Sequence, residues 1–276
     1  MATGLNIERK KPTGAVRSNM DRALYLYGIS QKPKGQLPTI VAEGIDGVAS
    51  VESVACENYL CWMSRVSRRE FVDELLAHME DLEWLATAGL RHQRAVSAIL
   101  KKLTVLPARF GAVFLSEKSL AQHVRQRRKA LPAAFKRVTE ADEWGVKVFE
   151  LRNQQSTAAS DNPPASGAEY LKSKAKSLRP TRDTARDGEV RDFILQLDNV
   201  AVDSSPGGKA SAGQPGLLWH GSFLVKRKDR RKLEDVLKKY AGKWHERRRI
   251  DCSGPWPPYS FVEAPSSQRG RPSHGQ

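Results

Sequence analysis

The sequence predicts an α+β protein in two domains, an N-terminal mixed α+β sheet domain and a C-terminal ferredoxin-like domain. Three observations predict it. At 276 residues the chain is long enough to bury two apolar cores of ordinary size. Short apolar and aromatic runs alternate with longer stretches of helical period. The last third reads as strand, helix and returning strand, which fits one right-handed crossover.

The elements follow in order. "ALYLYGIS" (23–30) is an apolar run closed by Gly28, the pattern of a strand buried on both faces. "VASVESVACENYLCWMSRV" (48–66) reads as a hairpin turning near Glu57 and Asn58, with Trp62 and Val66 packing. In "SRREFVDELLAHM", Ser67 stands three residues before Glu70, the spacing of a capping box. Phe71, Leu75 and Met79, flanked by Val72 and Leu76, form its apolar face. Around Gly89 the pattern restarts as a second helix, with Val96, Ile99, Leu100 and Leu103 in one stripe. In "LPARFGAVF" (106–114), Pro107 ends that helical pattern, Arg109 and Phe110 turn into a strand, and Gly111 permits a bulge or a close backbone approach.

Ser116 caps the next helix, which Pro132 interrupts. "EWGVKVFEL" (143–151) is a strand with Trp144, Val146 and Val148 on one face. Pro, Ser and Asn then dominate 153–166, and Gly dominates 203–216; both are expected to be flexible insertions. "LLWHGSFLVKR" is a strand, and Asp229 is placed to cap a helix whose stripe is Leu233, Val236, Leu237, Tyr240 and Trp244. "RRIDCSGPWPPYSFV" returns as a strand. The domains are expected at 22–142 and 143–263, between a disordered basic arm (1–21) and a disordered tail (264–276).

Lys and Arg number 46 against 31 Asp and Glu, a formal charge of +15. Such a chain favours acidic partners, and the charge concentrates in "RQRRK", "KRKDRRK" and "ERRR". Three cysteines, Cys56, Cys61 and Cys252, are too few and odd in number for a disulfide framework, which points to a reducing cytoplasm. No apolar run is long enough to span a bilayer, and the first residues lack a secretory core, so no membrane contact is expected.

Motifs for chemistry are sparse. The six histidines show no metal-ligand spacing with each other or with the cysteines, and no phosphate-binding glycine loop or nucleophile elbow occurs. Asp142 and Glu143 are carboxylate neighbours, but at the start of a strand they point to opposite faces. The expectation is therefore no enzyme, no cofactor, no metal and no catalytic residue. Nucleic-acid binding is the alternative reading, since "YLYG" and "FLVKRK" combine aromatic and basic residues; neither stretch matches an RNA-recognition signature.

Six stretches, taken together and in order, resemble the GvpF/GvpL family of gas vesicle proteins. They are "YLYGI" (25–29), "LRHQRAV" (90–96), "VLPARFGAVF" (105–114), "EWGVKVFEL" (143–151), "GAEYLKSK" (167–174) and "GPWPPYSFV" (254–262), spanning 22–263. The resemblance implies an accessory protein of gas vesicle formation, located at the gas vesicle and in the cytoplasm. It implies binding to the hydrophobic shell protein and to other gas vesicle proteins during assembly. It also implies a long helix after "GAEYL", which Pro180 and the 203–216 glycines interrupt here. Candidate partner-binding residues on these motifs are Arg109, Lys147, Trp256, Pro257 and Tyr259. For Arg109 the competing reading is a packed corner between helix and sheet; for Trp256 and Tyr259 the surrounding prolines suggest anchors on an edge.

Overall fold

The computed structural model describes residues 21–151, 184–207 and 214–263. The chain divides into two compact units, with the breaks between Thr139 and Glu140 and between Phe261 and Val262. The expected arm, the insertion at 153–166, the middle of the second insertion (208–213) and the tail lie outside the described residues, as does "GAEYLKSK".

The first unit is built on β1 (Arg22–Gln31), whose residues Ala23–Ser30 are all buried. β2 (Glu52–Cys56) and β3 (Tyr59–Ser67) form the expected hairpin, with Glu57 at φ 56° in its turn. With β4 (Val105–Pro107) and β5 (Val113–Phe114) they make an antiparallel sheet in the order β2-β3-β1-β4, β5 also pairing with β1. Pro107 therefore lies in a strand and does not end a helix. Because β4 is an edge strand, a residue without an N–H fits there. The close approach falls at Gly28, opposite Pro107: a Cβ on Gly28 would meet the Leu106 carbonyl oxygen at 2.7 Å.

The helices differ from expectation in where they break. A π-helical turn, Arg69–Asp73, precedes α1 (Leu75–Glu80), and α2 (Leu82–Leu100) runs through Gly89. The break sits at Asp81, whose carboxylate accepts from the backbone N–H of Glu83 (2.9 Å) and Trp84 (3.2 Å). No capping box forms at Ser67, whose hydroxyl accepts only a long 3.4 Å bond from the Glu70 N–H. Instead the Glu70 carboxylate accepts from the Trp84 indole. α2 buries Ala88, His92, Ala95, Val96 and Ile99, while Leu76 and Met79, expected in the core, are exposed. α3 (Glu117–Arg127) carries the expected Ser116 cap, and Pro132 stands in the first turn of α4 (Leu131–Val138), where its missing N–H leaves no bond unmade.

The second unit contains β6 (Ala141–Glu150), α5 (Thr184–Val200), β7 (Asp203–Pro206), β8 (Leu217–Lys226), α6 (Arg230–Trp244) and β9 (Arg248–Trp256). Its sheet is antiparallel, ordered β7-β8-β6-β9. β7 corrects the sequence reading: its four residues were expected in a flexible insertion, yet they pair with β8 from Asp203↔Leu224 to Pro206↔Gly221. An aspartate, two serines and a proline carry no strand signal; backbone pairing with an adjacent long strand supplies it. One sheet face presents Trp144, Val146, Val148, Phe223 and Val225 to Phe193, Leu197, Leu233, Tyr240 and Trp244 of the two helices. The Asp229 side chain does not cap α6; it pairs with Lys232 at 2.8 Å.

Candidate partner-binding surface

The "LPARFGAVF" corner is held from below by His92 and Tyr25. The Tyr25 hydroxyl lies 2.9 Å from His92 Nδ1 and accepts from the Gly111 N–H at 3.2 Å. The imidazole is thus held by a hydrogen bond shared with the Tyr25 hydroxyl at Nδ1 and by a bond to the Ala108 backbone. Burial holds the His92 pKa down at about 4, with the Ala108 bond opposing the shift. Phe110 lies edge-on to Tyr25, Trp84 and His92. Arg109 points outward, its guanidinium 3.2 Å from Glu263. The motif is thus a packed corner that presents one exposed cation.

Lys147 lies on the sheet face of the second unit away from its helices. Its register partners there are His220 and Asp251, and its ammonium donates to Gln214 at 3.3 Å. Gly145, Ser222 and Ser253 make the same face small and polar.

β9 is an edge strand: β6 pairs with one side, and among the described residues no strand pairs with the other. The register shifts between Glu143 and Gly145, where Gly254 has φ 140°. A Cβ on Gly254 would meet the Trp144 ring at 2.9 Å and the Glu143 carbonyl at 3.0 Å. Bulge and proline blunt the C-terminal part of this edge, leaving Arg249–Ser253 as its open part. Trp256 closes the strand, 40% exposed, its indole donating to Ser253 at 3.2 Å. It is the one exposed aromatic side chain among the described residues. Pro257 is buried, and Tyr259 is half-buried with its hydroxyl inside. Burial, with Glu143 nearby, pushes the Tyr259 pKa up. Glu143 is itself buried and accepts from the Ser260 N–H (2.9 Å) and hydroxyl (2.7 Å), tying the segment after β9 to the sheet. Of the five candidates, Arg109 in the first unit and Lys147 and Trp256 in the second reach the surface.

Part of the basic charge works inside the fold. Arg248 is buried, 4.8 Å over the Trp244 ring and 2.8 Å from Glu189. Lys118, Arg125 and Arg128 line a shallow depression along α3, where Arg125 also pairs with Glu57 at 2.9 Å. The lining of the α3 depression includes no aromatic side chain on which a base would stack. Among the described residues no group of His, Cys, Asp and Glu is placed to hold a metal ion.

Fold and surface together define a mixed α+β protein with two antiparallel sheets, one of them ending in a long edge strand under an exposed tryptophan. The chain belongs to the family of gas vesicle synthesis proteins GvpL/GvpF, which it matches from residue 23 to 263. It is similar to gas vesicle protein L of a Streptomyces species, 26% identical over 260 residues, covering 88% of this chain and 93% of that protein. Gas vesicle protein F1 of Halobacterium salinarum is 25% identical over 260 residues, covering 91% of this chain and all of the relative. The fold is that of the crystal structure of GvpF from Anabaena, with a TM-score of 0.65 at 18% identity, covering 88% of this chain and 97% of that one. GvpF from Microcystis aeruginosa gives a TM-score of 0.60, covering 88% and 99%. Membership supports a role in gas vesicle formation, and the family is not known for enzymes. Among the described residues no helix is long and apolar enough to cross a membrane.

Proposed function

We propose that this chain is a non-enzymatic, cytoplasmic assembly factor that binds the hydrophobic shell protein and other gas vesicle proteins while the wall is built. The observation that carries the proposal is the β9 edge with Trp256 at its end. A shell subunit with exposed apolar surface and open strand edges aggregates unless another protein covers it. An unpaired strand edge offers backbone N–H and C=O groups to such a subunit, and an adjacent tryptophan supplies an anchor. The two units act as separate domains in this reading. The second is a ferredoxin-like domain: its order β-α-β-β-α-β, with β9 and β7 at the two edges, is the split arrangement of that fold.

The test is co-expression of tagged protein with the shell protein, comparing wild type with Trp256→Ala. Trp256 is exposed, so the variant retains its fold, and recovery of shell protein falls several-fold. Tyr259 is kept intact because its buried hydroxyl makes it a packing residue. Unchanged recovery with a folded Trp256→Ala protein would remove the edge from the proposal.

A further inference from the structure

The chain carries a second surface whose chemistry is opposite to the rest. From Glu70 to Leu90 there is no Lys or Arg, in a chain with 46 of them, while six acidic residues occur: Glu70, Asp73, Glu74, Glu80, Asp81 and Glu83. Arg68 and Arg69 neutralise Asp73 and Glu74 (3.8 and 2.7 Å), and Asp81 is engaged as the α2 cap. Glu80 and Glu83 make no ion pair among the described residues. Between these carboxylates the chain exposes large apolar side chains: Leu76 and Leu82 are each 80% exposed, and Met79 and Leu90 are also open. Leu82, Ala86, Gly89 and Leu90 recur at helical spacing on the outer side of α2. Gly89 has nothing within 4 Å of where a Cβ would stand, so another backbone has room to approach it. A glycine in mid-helix costs about 1 kcal/mol relative to alanine, and no neighbour crowds the place of its absent Cβ.

We infer that the outer face of α1 and α2 docks a basic amphipathic helix of a partner protein, one with Leu-type residues in a stripe flanked by Lys or Arg. Charge selects the occupant: unpaired carboxylates around exposed leucines repel phosphates and anionic lipid headgroups and attract an apolar surface rimmed by cations. Shape selects a helix, because α2 satisfies its own backbone and offers only side-chain ridges, which pack against the grooves of another helix. The inference rests on the partner-binding reading above but places this contact in the first unit, apart from β9.

The full chain is titrated into two fluorescently labelled 18-residue peptides, one built of Leu and Lys at amphipathic spacing and one with Glu in place of every Lys. Anisotropy reads binding. The basic peptide binds and the acidic one does not. The double variant Glu80→Lys, Glu83→Lys binds the basic peptide at least about tenfold more weakly, as does Leu76→Ser with Leu82→Ser; all four positions are exposed, and circular dichroism verifies folding. Equal affinity for wild type and either double variant overturns the inference. So does sedimentation showing that wild type forms dimers which the charge variant loses, with no peptide bound, since the occupant is then a second copy of this chain. Intact peptide binding alongside failure to recover shell protein removes the earlier reading and leaves this one standing.

Discussion

Lowering the pH from 7 to 5 should unload stability through His92. The unfolded chain protonates this histidine near its ordinary value of 6.5, whereas the folded protein does so only near 4. Between those values the unfolded state binds more protons, so stability falls as pH falls from 6.5 toward 4. At about 1.4 kcal/mol per unit, the loss reaches about 2 kcal/mol at pH 5 and about 3 kcal/mol at pH 4. A domain stable by roughly 5–15 kcal/mol registers that clearly. The structural cause is local: burial disfavours a charged imidazole, and the same ring is bonded to the Tyr25 hydroxyl that also holds the Gly111 N–H. Urea unfolding of wild type and His92→Gln at pH 7 and pH 5 isolates the effect. Other titrating groups, including His123, whose pKa burial and Arg127 also lower, contribute equally to both proteins. Wild type should lose about 2 kcal/mol more than the variant between the two pH values. Identical losses would refute the placement of His92 as a neutral, buried support of the 106–114 corner.

Gly28→Ala should destabilise the first unit by about 1–3 kcal/mol, because its Cβ meets Leu106 and Val105 atoms at 2.7 Å; the urea midpoint reads it. Trp244→Ala removes a fully buried ring packed against Phe193, Tyr240 and Arg248, at a cost of about 3–5 kcal/mol, measured in the same way. Glu143→Gln should cost about 1–3 kcal/mol, since an amide nitrogen cannot accept one of the two bonds from Ser260. Loss of the ordered Tyr259 environment in near-ultraviolet circular dichroism should accompany it.

Much of the fold was legible because burial imposes either a period or a short unbroken apolar run. β6 and the α6 stripe were readable because each buries side chains in a rhythm that suits one kind of element, and β1 and the β2–β3 hairpin because short apolar runs bounded by turn residues suit buried strands. β7 was not, because Asp203–Pro206 forms a strand only by pairing with β8. The helix break was misplaced for a related reason. Gly89 is the weaker helix former, but a helix tolerates one glycine, whereas Asp81 satisfies two free N–H groups and so starts α2. Pro107 resembled a helix end because proline is read as a breaker, and only the sheet order places it on an edge.

The candidate surface was legible in residue type more than in exposure. Trp256 and Arg109 reach the surface, but the same proline-rich stretch buries Pro257 and the Tyr259 hydroxyl, a distinction set by the Glu143–Ser260 bonds across 117 residues of sequence. The α1–α2 face was hidden by its own periodicity. Leu76 and Met79 follow a helical apolar stripe, which ordinarily faces a core; the signal that separates them was the run of 21 residues without Lys or Arg.

The most direct test of the central claim is recovery of soluble shell protein with the tagged chain from nuclease-treated lysate at low and high salt. The apolar, edge-mediated contact predicts recovery at both salt concentrations. Failure to recover shell protein at either, with nucleic acid alone co-purifying before nuclease treatment and released by salt, would contradict it and assign the basic surface the binding role.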